Sequence, residues 1–145
     1  MNNLLKITID PGKSGAIAFS YNDKVTCYYY PENTHDLVRI FKENITSNNM
    51  AILEKVHAMP GQGVTSMFSF GENYGIYLGI LSALSIPFIL VSPQKWQKII
   101  GNMPKDKQER KNYIKQYVSS LYPHIKVTLK NADALAMISI FDKLK

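Results

Sequence analysis

Three short segments with the pattern of β-strands open the chain, and their close spacing limits the folds that it can adopt. Residues 4–9 alternate apolar and polar side chains, and turn-forming residues follow at 10–15. The next two segments, residues 16–20 and 24–30, are joined only by residues 21–23. Strands connected by such short turns pair side by side in opposite directions. The sequence therefore predicts an antiparallel meander of three strands.

The rest of the chain alternates short apolar strands with helices. Strands are predicted at residues 50–55 and 87–91, where most side chains are apolar, as in buried parallel strands. Helices are predicted at residues 34–44, 66–84, 93–100, 107–121 and 132–143, with Thr34 and Asp106 as cap residues. This order predicts one α/β domain over residues 1–145. Its sheet is mixed and five-stranded, with three antiparallel strands followed by parallel strands, and helices flank it.

Composition and charge narrow the possible functions. Hydrophobic residues make up 46% of the 145 residues, so the chain can build a core. No apolar run reaches the roughly 18 residues that a membrane span needs, and the first residues lack the pattern of a secretory signal. The single cysteine, Cys27, excludes an intramolecular disulfide and a cysteine-based zinc cluster. The net charge of +6 favours a polyanionic partner. From the absent membrane span, the absent secretory signal and the single cysteine, we expect no membrane partner and a cytoplasmic location.

Three acidic residues occupy places that structure alone does not favour. Asp10 follows the first predicted strand, Glu54 ends the fourth, and Asp133 opens the last helix. Adjacent central strands would bring Asp10 and Glu54 together at their carboxyl ends, where α/β sheets hold their sites, and a helix start packed there would add Asp133. Clustered carboxylates need a cation, and oxygen ligands select Mg²⁺ or Mn²⁺. Two such ions in one site can support phosphodiester cleavage.

Each of these residues also has a plainer explanation. Asp10 precedes Pro-Gly and suits a turn, Glu54 could pair with a surface lysine, and Asp133 suits a helix start. Their joint placement in the strand order is what favours a shared site.

The residues around the carboxylates resemble the motifs of RuvC-type Holliday-junction resolvases, in the form carried by phages and prophages. Residues 10–18 are similar to the first motif, Asp-x-Gly followed by a further glycine, and residues 54–63 to the second. Residues 66–71 with Gly75, residues 91–96 and residues 132–135 complete the series. The resemblance covers nearly the whole chain in the right order, and it is most specific between residues 54 and 75.

The resemblance implies an RNase H-like fold, a homodimer and a divalent metal, Mg²⁺ with Mn²⁺ as a substitute. It also implies symmetric nicking of four-way junctions, the activity of a crossover junction endodeoxyribonuclease. Asp10, Glu54 and Asp133 match the catalytic and metal-binding positions.

The chain departs from the family pattern at one position. The family normally carries a fourth acidic residue about one turn before the last carboxylate, but residues 113–132 contain no Asp or Glu. Either three carboxylates suffice for metal binding and catalysis, or the missing fourth one weakens the site. Asn131 is a neutral candidate ligand or a replacement for Asp, and Lys130 could place a positive charge where a metal should sit. The plainer interpretation is a divergent loop without catalytic meaning.

The long helix after the second motif carries four small residues at four-residue spacing: Gly71, Gly75, Gly79 and Ala83. Residues so spaced lie along one side of a helix, where they allow another backbone to approach closely. Its other sides are largely apolar, which indicates burial on more than one face. We interpret the stripe as a dimer interface. The alternative is a helix packed wholly within its own domain.

Residues expected to contact DNA lie in three places. The first place holds Lys13 and Ser14, which follow the first carboxylate. The second is the loop after the second carboxylate, with His57, Met59 and Gln62, and we expect it to be exposed, mobile without DNA and adjacent to Glu54. The third is a group of basic residues: Lys95, Lys98, Lys105, Lys107, Arg110 and Lys111. Met59 would wedge into the unstacked crossover of a junction. The plainer interpretations are a solvated helix face for the basic group and core anchoring for Met59, Phe68 and Phe70.

The leading hypothesis is therefore a junction-resolving endonuclease. A related nuclease acting on flaps, other branched DNA or RNA–DNA hybrids is an alternative, and so is a catalytically weakened junction-binding protein. Sugar-kinase and actin-like ATPases also begin with Asp-x-Gly, but 145 residues are too few for their two lobes.

Overall fold

The computed structural model describes residues 3–56 and 60–145 and contains a mixed five-stranded sheet. The strands are β1 (Leu5–Asp10), β2 (Ala16–Tyr21), β3 (Lys24–Tyr29), β4 (Asn49–Glu54) and β5 (Phe88–Val91), in the order β3-β2-β1-β4-β5. The pairs β1–β2 and β2–β3 are antiparallel, whereas β1–β4 and β4–β5 are parallel. The predicted meander and the predicted parallel strands are both confirmed.

The helices are α1 (Thr34–Asn44), α2 (Val64–Ala83), α3 (Pro93–Ile100), α4 (Lys107–Leu121), α5 (Ala132–Ser139) and α6 (Phe141–Leu144). The prediction of one continuous last helix is wrong, because Ile140 leaves the helical backbone at φ −119°. Phe141 and Leu144 beyond it are both buried. The cap of α1 is Asn33 rather than Thr34, since the Asn33 side chain accepts the backbone N–H of Asp36. None of the described helices is both long and apolar enough to cross a membrane.

Two hydrophobic cores cover the two faces of the sheet. Helices α1 and α2 pack on one face, where Phe41 and Tyr77 are fully buried against Ile7 and Ile9 of β1. Helices α3 to α6 pack on the other, around Trp96. The central strand β1 is therefore covered on both sides, with Ile7 and Ile9 in the first core and the buried Thr8 bonded to α5 on the opposite face.

Helix α2 buries one side and exposes the other. Asn73, Tyr77, Ile80 and Leu81 are buried, whereas the four small residues of the stripe are all exposed. A Cβ atom added to Gly71, Gly75 or Gly79 would meet nothing within 4 Å. The stripe therefore does not pack within the described part of its own domain, and that alternative is wrong.

Candidate active site

Asp10 and Glu54 end neighbouring parallel strands at the same edge of the sheet. Ile9 of β1 lies opposite Leu53 of β4, so the two carboxylates follow side by side. This edge, outside the carboxyl ends of parallel strands, is where open α/β sheets commonly hold their sites. The predicted juxtaposition of Asp10 and Glu54 follows directly from this register.

The turn after Asp10 is fixed by glycines and by one buried amide. A Cβ on Gly15 would overlap the carbonyl oxygen of Asp10, so only glycine fits there. Gly12 has a φ of +109°, a conformation that glycine adopts at little cost. Its backbone N–H donates to Asn73 Oδ1 at 2.6 Å. Helix α2 thus holds the turn, and with it the end of β1, in one conformation.

Two buried polar groups on α2 lie next to this turn. Within the described residues, Asn73 Nδ2 and the Tyr77 hydroxyl are buried and have no hydrogen-bond partner. They are one helical turn apart on the buried side of α2. Burial raises the pKa of Tyr77, and the neighbouring Tyr30 and Asp10 raise it further. The Tyr77 hydroxyl therefore stays protonated and adds no charge near Asp10.

Glu54 is held by a tryptophan. Trp96 Nε1 donates to Glu54 Oε2 at 2.6 Å, and the indole ring is completely buried. The two residues meet because β5 pairs with β4, with Val91 opposite Glu54, and α3 begins two residues after Val91.

Asp133 reaches the site from α5, which packs over β1 and β2. The buried Thr8 Oγ1 donates to the carbonyl oxygen of Ala134 at 2.7 Å and so ties the start of α5 to β1. Ala132 and Ala134 on either side of Asp133 are buried, and small side chains there let the helix lie close to the sheet.

Burial raises the pKa of all three carboxyl groups. The pKa of Glu54 is raised to about 7 and that of Asp133 to about 6, in each case chiefly by burial. The pKa of Asp10 is raised well above its usual range by burial, then by the charges of Asp133 and Glu54. Asp10 and Glu54 also share a side-chain hydrogen bond. The three groups therefore repel one another when ionised, and the Asp10–Glu54 pair favours holding a proton between them.

Two cations of α4 act on the same site. The positive charges of Lys111 and Arg110 lower the pKa of Asp133 and partly offset the effect of its burial. None of the three carboxylates forms an ion pair within the part of the chain that the structure describes. The negative charge of the site is therefore only partly neutralised by the protein itself.

The donor set fits a hard divalent cation in its chemistry. Three half-buried carboxylates with raised pKa values would gain from a positive ion, and carboxylate oxygens are the ligands that Mg²⁺ and Mn²⁺ prefer. Among residues 3–56 and 60–145, however, no three acidic, histidine or cysteine side chains already form a ligand cage. The fit thus depends on the nature and charge of these groups rather than on a preformed geometry.

Asn131 is engaged in the loop before α5. Its Oδ1 accepts the backbone N–H of Thr128 at 2.8 Å, and its Nδ2 donates to the carbonyl oxygen of Lys126 at 3.1 Å. The residue is buried, whereas Lys130 beside it is exposed. This arrangement gives Asn131 a clear structural function in positioning the start of α5. Its role as a metal ligand stays a prediction.

The residues predicted to contact DNA differ in their exposure. Lys13 and Ser14 are exposed, and Lys13 lines an open cleft of about 350 Å³ between the Asp10 turn and the start of α2. Of the basic group, Arg110 is half-buried and the others are exposed. Pro60, Gly61 and Gly63 of the loop are exposed, but His57 and Met59 lie outside the described residues. Gln62 is half-buried.

Several neighbours of the site were not predicted from sequence. The cleft is also lined by the hydroxyl-bearing Thr65, Ser66 and Ser69. Their spacing after a Gly-rich loop is the sequence feature that could have predicted this placement. Asn73 and Trp96 contact the site through single hydrogen bonds that no motif spacing indicates. The core-anchor interpretation of Phe68 is wrong, since 73% of the residue is exposed, while Phe70 is half-buried against Gly12.

The raised pKa values predict that stability falls with rising pH when metal is absent. A carboxyl group whose folded pKa exceeds its unfolded pKa binds protons more tightly in the folded state, so deprotonation favours unfolding. For Glu54 and Asp133 the loss should extend from about pH 4 to about pH 7. It should reach on the order of 3 kcal/mol for Glu54 alone. Thermal denaturation in chelator, followed by circular dichroism, measures it.

The variant Glu54→Gln is the control for this prediction, because it should flatten the pH dependence. Added Mg²⁺ should raise Tm more at pH 7 than at pH 5, since protons compete for the same oxygens. A Tm in chelator that is constant or rises between pH 4 and pH 7 would contradict the prediction.

Comparison with known proteins shows the fold. No protein-family model matches the chain, and no curated protein sequence matches it significantly. Among solved structures, RuvC of Thermus thermophilus in complex with a Holliday junction substrate is similar, with a TM-score of 0.60 and 10% identity. A second structure of Thermus thermophilus RuvC gives 0.59 and 12% identity, and each match covers 91% of this chain and 89% of the other. The chain therefore has the RNase H-like fold of RuvC, as predicted.

Proposed function

We propose that this protein is a metal-dependent endonuclease that resolves four-way DNA junctions by symmetric phosphodiester hydrolysis. The observation that carries the proposal is the meeting of three half-buried carboxylates at the carboxyl ends of β1 and β4, where the charges of Asp133 and Glu54 raise the pKa of Asp10. Such a cluster of carboxylates lowers the stability of the fold unless it binds cations, which favours a function in cation binding. The fold shared with a RuvC structure solved with a Holliday junction supports the choice of substrate.

Asp10, Glu54 and Asp133 would hold two Mg²⁺ or Mn²⁺ ions in each active site. The chemistry that these ions supply when bound is the activation of a water and the stabilisation of the leaving oxygen. The protein contributes ligands on rigid elements: the turn fixed by Asn73, the carboxylate held by Trp96 and the helix tied to Thr8. The partial burial of the carboxylates would strengthen the electrostatic interactions at the site.

The DNA backbone would contact both sides of the carboxylates. On one side, Lys111 and Arg110 of α4 are close enough to alter the pKa of Asp133. On the other, the cleft beside Gly12 combines Lys13 with three hydroxyl-bearing side chains, which are common phosphate partners. The net charge of +6 adds a general attraction to DNA. Selection of a junction over duplex would come from the loop around His57 and Met59 and from the dimer.

A homodimer would supply the two sites that symmetric cutting needs. The exposed stripe of α2 lets a second copy approach to backbone distance, and a two-fold dimer matches the symmetry of a four-way junction. Val64 and Phe68, at the start of the same helix, are 85% and 73% exposed and would gain from being covered.

One observation favours a second candidate, a junction-binding protein with weak or no catalysis. The position before Asp133 where a fourth carboxylate is expected carries Asn131, whose amide is engaged within its own loop. A site with three carboxylates holds metal less strongly than a site with four.

A nicking assay on a synthetic four-way junction tests the proposal. We expect paired, symmetric nicks in Mg²⁺ or Mn²⁺ and none in chelator. Duplex, flap and RNA–DNA hybrid substrates of equal length are the controls. Preferential cutting of a hybrid or a flap would replace the proposed substrate, and tight junction binding without cutting in either metal would favour the second candidate.

A further inference from the structure

We propose that Trp96 is a positioning residue for Glu54, fixing its carboxylate through the indole N–H so that the active site binds metal tightly. The inference rests on the proposed function, because it concerns the same site. It assigns a role to a residue whose ring would otherwise be only part of the core.

The geometry of Trp96 is set by two rigid connections. Strand β5 pairs with β4, and Val91 lies opposite Glu54. Helix α3 starts at Pro93, and the Ser92 side chain caps it by accepting the backbone N–H of Lys95. The indole therefore cannot shift without moving the helix start or the edge of the sheet. A donor anchored in this way holds its acceptor in one rotamer.

The N–H group of Trp96 donates a hydrogen bond to Glu54, which an apolar ring could not do. The residue is completely buried, so an apolar side chain of similar size would satisfy the packing equally well. The indole nitrogen can only donate and does not ionise, so its partner must be an acceptor at every relevant pH. At 2.6 Å from Oε2, it forms a short bond of the kind made to a charged carboxylate.

The bond also determines how Glu54 can be used. One carboxylate oxygen accepts the indole N–H, and Glu54 shares a further hydrogen bond with Asp10. A side chain held at one oxygen loses little rotational freedom when it takes up a cation, so binding costs less. Partners that orient metal ligands in this way typically contribute 10- to 100-fold in metal affinity or activity.

The test replaces the N–H while keeping the ring. Incorporation of 3-benzothienylalanine at position 96 exchanges the N–H for sulfur in a ring of nearly the same shape. We expect Mn²⁺ affinity without DNA, measured by titration calorimetry, to fall roughly 10- to 100-fold. The turnover rate on a junction at limiting Mn²⁺ should fall by a similar factor, while KM for the junction stays unchanged.

Two further variants separate this role from packing. Trp96→Phe should reproduce the loss of Mn²⁺ affinity, with an added loss of stability. Phe141→Leu, in the same core but away from the carboxylates, should lower Tm and leave Mn²⁺ affinity unchanged. Unchanged affinity and turnover in the benzothienyl protein would overturn the inference. If the wild type bound Mn²⁺ and cut no DNA, the proposed function would fail, and the affinity difference would still decide the role of Trp96.

Discussion

Replacing Asp10 by Asn, Glu54 by Gln or Asp133 by Asn should each reduce cutting of a four-way junction by on the order of 10³-fold or more. In the proposed mechanism the three side chains act as one unit, so any single loss should remove most of the rate. Junction binding should change little, because the proposed phosphate contacts of the basic residues would supply it. Single-turnover nicking and gel-shift titration, at matched salt and metal concentrations, measure the two effects separately.

The variant Asp142→Asn, at an exposed residue, is the matched control for these substitutions. It makes the same chemical change at a surface residue that pairs with Lys6, and cutting should be normal. In chelator, Asp10→Asn should also raise Tm, because one buried charge that the other two carboxylates repel has been removed. Cutting that persists in Asp10→Asn or Glu54→Gln would remove the proposed mechanism.

The variant Gly75→Leu should dissociate the proposed dimer into monomers and abolish paired nicking. The dissociation constant should rise by at least about 100-fold, because an inserted side chain prevents the close approach of two backbones. The monomer itself should remain folded, since a Cβ at Gly75 meets nothing within 4 Å and leucine suits a helix better than glycine. Sedimentation velocity and circular dichroism measure assembly and folding.

A second leucine elsewhere controls for added surface hydrophobicity. Ser119→Leu on α4 places the same side chain at an exposed helical position away from the stripe, and it should leave assembly unchanged. Gly75→Ala should weaken the dimer less than leucine does. A wild type that is monomeric at micromolar concentration in light scattering would rule out the interface.

Most of the fold was predictable because each element carries its own periodic pattern. The strand Leu5–Asp10 alternates apolar and polar side chains, Ala16–Tyr21 is mostly apolar, and the turns between strands contain residues that favour turns. The break at Ile140 was not predictable, since no Gly or Pro marks it and its neighbours Ser139 and Phe141 are compatible with a helix. The cap at Asn33 was missed because both Asn33 and Thr34 are capable of capping.

The candidate site was predictable only in part, for a related reason. Asp10 and Glu54 could be paired from the strand order, because parallel neighbours end at the same edge. The contacts of Trp96 with Glu54 and of Asn73 with Gly12 depend on the register of packed elements. No local pattern encodes such a register. The function of the loop around residues 57–59 in selecting junctions remains a sequence-based prediction.

The bond from Thr8 to Ala134 joins positions 126 apart, so the candidate site is assembled late in the folding of the chain. Asp133 enters the site only after α5 has docked on β1, so a nascent or truncated chain that lacks this helix carries only two of the three carboxylates. Under the proposed function, a chain that ends before residue 132 would lack a complete active site and would not cut DNA.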